Sequence, residues 1–101
     1  MASGKDYLAY ILEQLSGLDL RYRPMMGEYL LYYQGTLVGG IYDDRLLVKP
    51  TPSAKALLPE APLALPYEGA KEMLLVEETD DRELLAALVT AVAADLSAPE
   101  R

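Results

Sequence analysis

The chain has 101 residues, 51% of them apolar, with 9 Lys and Arg against 16 Asp and Glu for a net charge of −7, and it contains neither His nor Cys. That length gives one domain with one core. The missing residue types exclude Ser-His-Asp and Cys-His nucleophile systems, thiol redox motifs and ordinary zinc sites, which need a near-neutral base or a soft ligand; the acidity works against binding a phosphate backbone.

The charge is unevenly placed: residues 1–58 are neutral overall, whereas residues 59–101 carry the whole −7. That second half reads as a solvated acidic helix and its approach.

At the start, Ser3-Gly4-Lys5-Asp6 reads as an N-cap with a carboxylate three residues on, and Tyr7, Leu8, Ile11, Leu12 and Leu15 follow at helical spacing until Gly17. The stripe is a core face, because the opposite face lacks the Lys and Arg that anionic lipid would require. Lys5-Asp6 falls where a signal peptide needs an apolar run, and no later run approaches the roughly 18 residues of a membrane span. A cytoplasmic protein with no membrane contact is expected.

Over 19–49 the signals change to β, with Tyr, Leu, Val and Ile broken by short turn-forming pairs. Strands are expected near 20–25, 28–33, 37–42 and 45–49, separated by Gly27, by Gln34-Gly35 with Thr36, and by Asp43-Asp44. Turns this short force antiparallel neighbours. Thr51-Pro52 supplies an N-cap and a proline at the first helical position, so 53–58 should be a short helix ended by Pro59.

The Pro-rich stretch 59–69 is a connector inside a single domain spanning 1–101, ordered if Leu63 and Leu65 reach the core. Met73–Val76 reads as a last strand. Asp80 and Glu83 then frame a capping box before a long helix marked by Leu84, Leu85, Leu88, Val89, Val92 and Leu96 and ended by Ser97-Ala98-Pro99. The expected fold class is α+β, a two-layer antiparallel sheet with helices on one face, in the order α-β(3-4)-α-β-α.

Strand alternation assigns the sheet faces. One face would hold Leu30, Tyr32, Leu37, Ile41, Leu46 and Val48, with Glu28 at its rim, and be covered by the helices. The other would hold Tyr29, Leu31, Tyr33, Val38, Tyr42 and Leu47 with Thr36, Arg45 and Lys49, partly exposed because helices this few cover one side of a sheet. Tyr beside Arg on an apolar surface is what interfaces favour, which makes that second set the candidate interaction face. Gly39-Gly40 in mid-strand calls for a large neighbour over the gap, such as Tyr29 or Tyr32, or for a ligand.

Catalytic chemistry finds no support in the residues. Asp43-Asp44 and Asp80-Asp81 are explained by a turn and a helix cap, and hard cations need three or more oxygen ligands, so no metal is expected. No Gly-rich phosphate loop follows a strand, and no cofactor is implied. Arg21, Arg23, Lys49 and Lys55 with Tyr22 and Tyr33 loosely resemble a single-strand-binding sheet without its stacking motif. Direct nucleic-acid binding is therefore not expected.

The run 23–32, with Arg23, Met25-Met26-Gly27 and the Tyr-Leu strand after it, then Gly35, Gly40, 45–49 ending in Lys49, and Pro66-Tyr67, resembles the N-terminal domain of the TfoX/Sxy family of competence regulators. The resemblance runs from the first helix to the last, and its motifs set shape rather than carry catalysis. It implies a secretion-chaperone-like arrangement of helix, antiparallel strands, helix, strand and final helix, without enzyme activity. In full-length family members a second, C-terminal domain follows and the protein is a positive regulator of DNA-uptake genes. This chain stops at Arg101, so that domain is expected to be absent, and Glu28 stands where family members often have Gly. The resulting expectation is a stand-alone, non-enzymatic regulatory domain working through contact with a protein partner or a second copy. The alternatives are a direct nucleic-acid-binding transcription factor, and a small-ligand-binding protein or enzyme using carboxylates.

Overall fold

The computed structural model describes residues 4–97. Helix α1 (Lys5–Gln14) precedes four strands, β1 (Leu20–Met25), β2 (Glu28–Tyr33), β3 (Thr36–Ile41) and β4 (Leu46–Val48). Helix α2 (Pro52–Leu57), strands β5 (Leu63–Ala64) and β6 (Met73–Val76) and helix α3 (Arg82–Ser97) follow. The six strands form one antiparallel sheet in the order β1-β2-β3-β4-β6-β5. The α+β class and the single helix-bearing side of the sheet are as the sequence predicts; the added strand is β5, formed inside the connector.

The first four strands are joined by three two-residue turns, Met26-Gly27, Gln34-Gly35 and Asp43-Asp44. All six turn residues have positive φ, between 51° and 88°. Positive φ at both central positions belongs to the type I′ hairpin turn, whose twist matches that of the flanking strands. Gly, Asn and Asp are at ease there, whereas a bulky side chain is strained. In the third turn Tyr42 and Arg45 exchange both backbone hydrogen bonds, at 2.9 and 3.0 Å.

One irregularity breaks the alternation. Tyr32 pairs with Leu37 but Leu31 pairs with Gly39, so Val38 is an extra residue on β3. This bulge reverses the face of everything downstream of it relative to a regular ladder. Gly39 sits at the bulge because a Cβ there would lie 2.2 Å from the Leu47 carbonyl oxygen.

The core lies between the sheet and the helices. Ile11 of α1, Leu31, Ile41, Val48 and Leu74 of the sheet, and Leu85, Leu88 and Val92 of α3 are buried within it. Helix α3 enters with the Asp81 carboxylate accepting from the Leu84 N–H at 3.1 Å, so the cap is Asp81 rather than Asp80. Leu96 remains exposed and Ala93 takes the buried position of that turn. The expected cap Ser3 and the expected terminators Ala98 and Pro99 lie outside the described residues. Gly4 holds the N-cap position of α1, and its N–H donates to Asp44 Oδ1 at 2.8 Å.

Helix α2 starts one residue earlier than expected, at Pro52, behind a buried Thr51 whose hydroxyl oxygen accepts from the Ala54 N–H. Asp95 of α3 accepts from both the backbone N–H and the hydroxyl of Ser53, at 2.8 and 2.9 Å, and fastens α2 to α3. At the other end of α1, Gln14 donates to the Thr79 carbonyl at 2.9 Å and accepts from Arg82 at 3.2 Å. The connector is ordered by a different route from the expected one. Leu63 and Leu65 stay about half exposed, and order comes from pairing with β6, from Leu75 N–H donating to the Pro62 carbonyl, and from Arg45 Nη2 donating to the Leu65 carbonyl.

Candidate functional site

The expected interaction face, Tyr29, Leu31, Tyr33, Val38, Tyr42, Arg45, Leu47 and Lys49, does not exist as one surface. Tyr29, Leu31, Tyr33 and Val38 belong to the helix side, where Leu31 and Val38 are buried and both tyrosines pack on the core. Tyr29 stands in a groove with Leu8 and Leu12 of α1, its ring edge-on to Tyr22 at 5.8 Å. Tyr42 and Leu47 lie on the opposite side but are covered, at 5% and 0% exposure. The physical reason is the bulge at Val38: strict alternation carried across it joins residues of one face to those of the other.

The same correction applies to the expected core face. Ile41, Leu46 and Val48 do face the helices, whereas Leu30, Tyr32 and Leu37 face away from them. Over β1, β2 and β3 this second side is open. Leu30, Tyr32 and Leu37 are half-buried there and outside the core cluster, with Arg21 and Arg23 exposed on the neighbouring edge strand. Among the described residues, Arg21 holds only a long, exposed contact of 3.7 Å to Asp19. Met26, at the tip of the first hairpin, is 96% exposed.

Over β4 and β6 the second side is closed by the loop 65–72. Tyr67 stacks obliquely on Tyr42, with ring centroids 6.2 Å apart, and Pro66 is buried beside them. Arg45 straps the loop down, donating to the Tyr42 carbonyl from Nε and to the Leu65 carbonyl from Nη2. The Tyr42 ring also fills the gap over Gly40, where a Cβ would meet it at 2.7 Å. The filler of the glycine gap is thus Tyr42 rather than Tyr29 or Tyr32. Burial raises the pKa of the Tyr42 hydroxyl, reinforced by Tyr67, Glu28 and Tyr32 close by.

The loop and the Lys49-Pro50 step that follows β4 border an open cleft of about 510 Å³, lined by Tyr42, Lys49, Tyr67, Lys71 and Met73 among others. Lys49 and Tyr67, far apart in the chain, meet here. Sequence reasoning missed the pairing; Tyr67, the single aromatic residue of the connector 59–69, was the available signal.

The acidic second half gathers around the start of α3, where Glu78, Asp80, Asp81 and Glu83 surround Arg82, which bonds to Glu13 at 3.4 Å. Asp43 and Asp44 are turn residues: the Asp43 N–H donates to Glu28 Oε1, and Asp44 accepts from Gly4. Among the described residues, no group of three or more acidic side chains converges as metal ligands. No helix among the described residues is long and apolar enough to cross a membrane. Arg21 and Arg23 on β1 are separated from Lys49 by the width of β2 and β3, and Lys55 lies on α2.

Two comparisons place this architecture among known proteins. A protein of Spirochaeta aurantia described as "Uncharacterized 12.7 kDa protein in trpE 5'region" is 33% identical over 103 residues, spanning 99% of this chain and 89% of that protein. No solved structure matches. The model of the TfoX N-terminal domain matches residues 12–94, from within α1 to within α3, and the chain belongs to that family.

Proposed function

We propose that the chain is a cytoplasmic, non-enzymatic regulatory domain that acts by binding a protein on the open half of its sheet. Membership of the TfoX N-terminal domain family supports a regulatory type of domain. The observation that carries the surface is the second side of β1–β3, where Leu30, Tyr32 and Leu37 stand outside the core next to Arg21 and Arg23. Apolar and aromatic side chains ringed by arginine are enriched at interfaces. The edge itself is guarded: Pro24 lacks an N–H, and a second β1 docked antiparallel about Tyr22 would set Arg21 against Arg23. The partner therefore lies across the face, and its matching surface is apolar with acidic groups at the rim.

The test compares wild type with Tyr32→Glu/Leu37→Glu as bait in the same extract, alongside light scattering over a concentration series. The expected result is a protein held by wild type and released by the double variant, with unchanged melting and with binding that weakens as salt rises. Proteins retained equally by both baits remove this face from the reading. Concentration-dependent doubling of mass that the variant abolishes identifies the partner as a second copy.

A further inference from the structure

We infer that the cleft between the Lys49-Pro50 step and the loop 65–72 is a binding site for a small organic monoanion with a flat apolar body, such as an aromatic carboxylate. It is independent of the open sheet face, on which no residue of the cleft stands. Its volume, about 510 Å³, falls in the range of small-molecule pockets, about 300–1,000 Å³.

The walls specify the ligand's chemistry. Tyr67 presents an exposed ring, inclined at 55° to the buried Tyr42 ring with centroids 6.2 Å apart, so that only an edge of Tyr42 reaches the cleft, and Met73 adds a polarisable thioether. Such walls accept a flat apolar ring by stacking and by sulfur contact. Lys49 and Lys71 supply two ammonium groups, and neither forms an ion pair among the described residues. Glu72 is the one carboxylate on the lining, leaving an excess of one positive charge in a chain of net charge −7. One excess charge matches a monoanion. A dianionic phosphate would leave one negative charge unmatched.

The cleft is also built rather than incidental. Tyr42 is held by its seat on Gly40. The loop is turned back by Gly69 at φ +88° with the Ala70 N–H donating to the Tyr67 carbonyl at 3.2 Å, as in a type II turn. Two walls fixed before binding lower its entropic cost.

The experiment is an amide chemical-shift titration of the whole chain with benzoate, with benzamide and inorganic phosphate as matched controls. The expected outcome is saturable shifts at Tyr42, Lys49, Tyr67 and Lys71 with a dissociation constant of about 1 mM or tighter. Benzamide should bind about tenfold more weakly, and Lys49→Gln/Lys71→Gln should weaken benzoate by a similar factor. Should the double variant lose its dispersed spectrum, Lys71→Gln alone, at an exposed position, provides the charge test. Tyr67→Ala, on the outer wall, should weaken benzoate and benzamide alike. The inference is overturned by shifts that do not saturate below about 20 mM, by shifts centred elsewhere, by equal binding of benzamide, by variants that bind as wild type does, or by phosphate outcompeting benzoate at this cleft.

Discussion

The two halves of the sheet share one ladder and one helical layer but differ on their second side. Over β1–β3 that side holds Leu30, Tyr32 and Leu37 partly in solvent; over β4 and β6 a loop carrying Pro66 and Tyr67 shuts Leu47 and Tyr42 away from water. The closed half is a satellite cluster: Leu47 is fully buried yet lies outside the main core. A strand of three residues could not be held firmly by its ladder alone. Here β4 is covered on both sides, as its Leu-Leu-Val sequence requires. The open half needs no such cover because β1, β2 and β3 are longer and joined by tight turns.

Truncating matched leucines gives the largest expected contrast. Leu47→Ala should cost about 3 kcal/mol by emptying a buried site, whereas Leu37→Ala should cost less than about 1 kcal/mol; chemical denaturation measures both, and similar losses would erase the distinction between the halves. Gly40→Ala comes next. A Cβ there meets the Tyr42 ring and the Tyr29 carbonyl oxygen, each at 2.7 Å. Overpacking should cost about 2 kcal/mol and shift the near-ultraviolet tyrosine signal as the ring moves. A wild-type spectrum and stability would mean that Tyr42 is not seated there.

A smaller effect of opposite sign is expected at the first hairpin. Met26 holds φ +52° with its side chain in water, a backbone that Asn adopts more readily, so Met26→Asn should raise stability by about 0.5 kcal/mol. If partner binding falls at the same time, the open half extends to this tip.

Asp95 provides a comparison outside both halves. Its carboxyl is held below the usual aspartate range by the hydrogen bond from the Ser53 N–H, then by the Thr51 and Ser53 side chains. A depressed folded-state pKa stabilises the fold fully above the ordinary value of 3.8, and the contribution disappears as pH falls through the folded value. Asp95→Asn should therefore lower the melting midpoint at neutral pH and converge with wild type in acid. A gap that persists at low pH would trace the loss to packing instead.

Much of the fold could be read from the residues because each turn was written in residues that tolerate positive φ or sit beside one that does. Gln34-Gly35 and Asp43-Asp44 announce hairpins, and Thr51-Pro52 announces a helix start, from short-range chemistry alone. The face assignment failed at Val38-Gly39, since a bulge depends on how closely β4 approaches β3, and that approach is set by the Leu47 carbonyl, eight residues from Gly39 in sequence but beside it in space. The two-residue strand β5 was hidden for a related reason: Pro62 and Pro66 flank it, so the stretch reads as a connector. Asp81 replaced Asp80 as the cap because adjacent aspartates are equally suitable by residue type, and it is the Asp81 carboxylate that accepts from the Leu84 N–H.

The three tight turns bear on the order in which the chain folds. Contacts among β1, β2, β3 and β4 join residues near in sequence, so these hairpins can close in microseconds with little loop entropy to overcome. Pairing of β4 with β6, and the seating of Gln14 against Thr79 and Arg82, join distant stretches and have to wait for that meander. Ribosomal synthesis would deliver α1 and the meander first, leaving the part of the helix-facing apolar side that α3 covers unprotected until α3 emerges, which makes the last helix the step on which escape from aggregation depends.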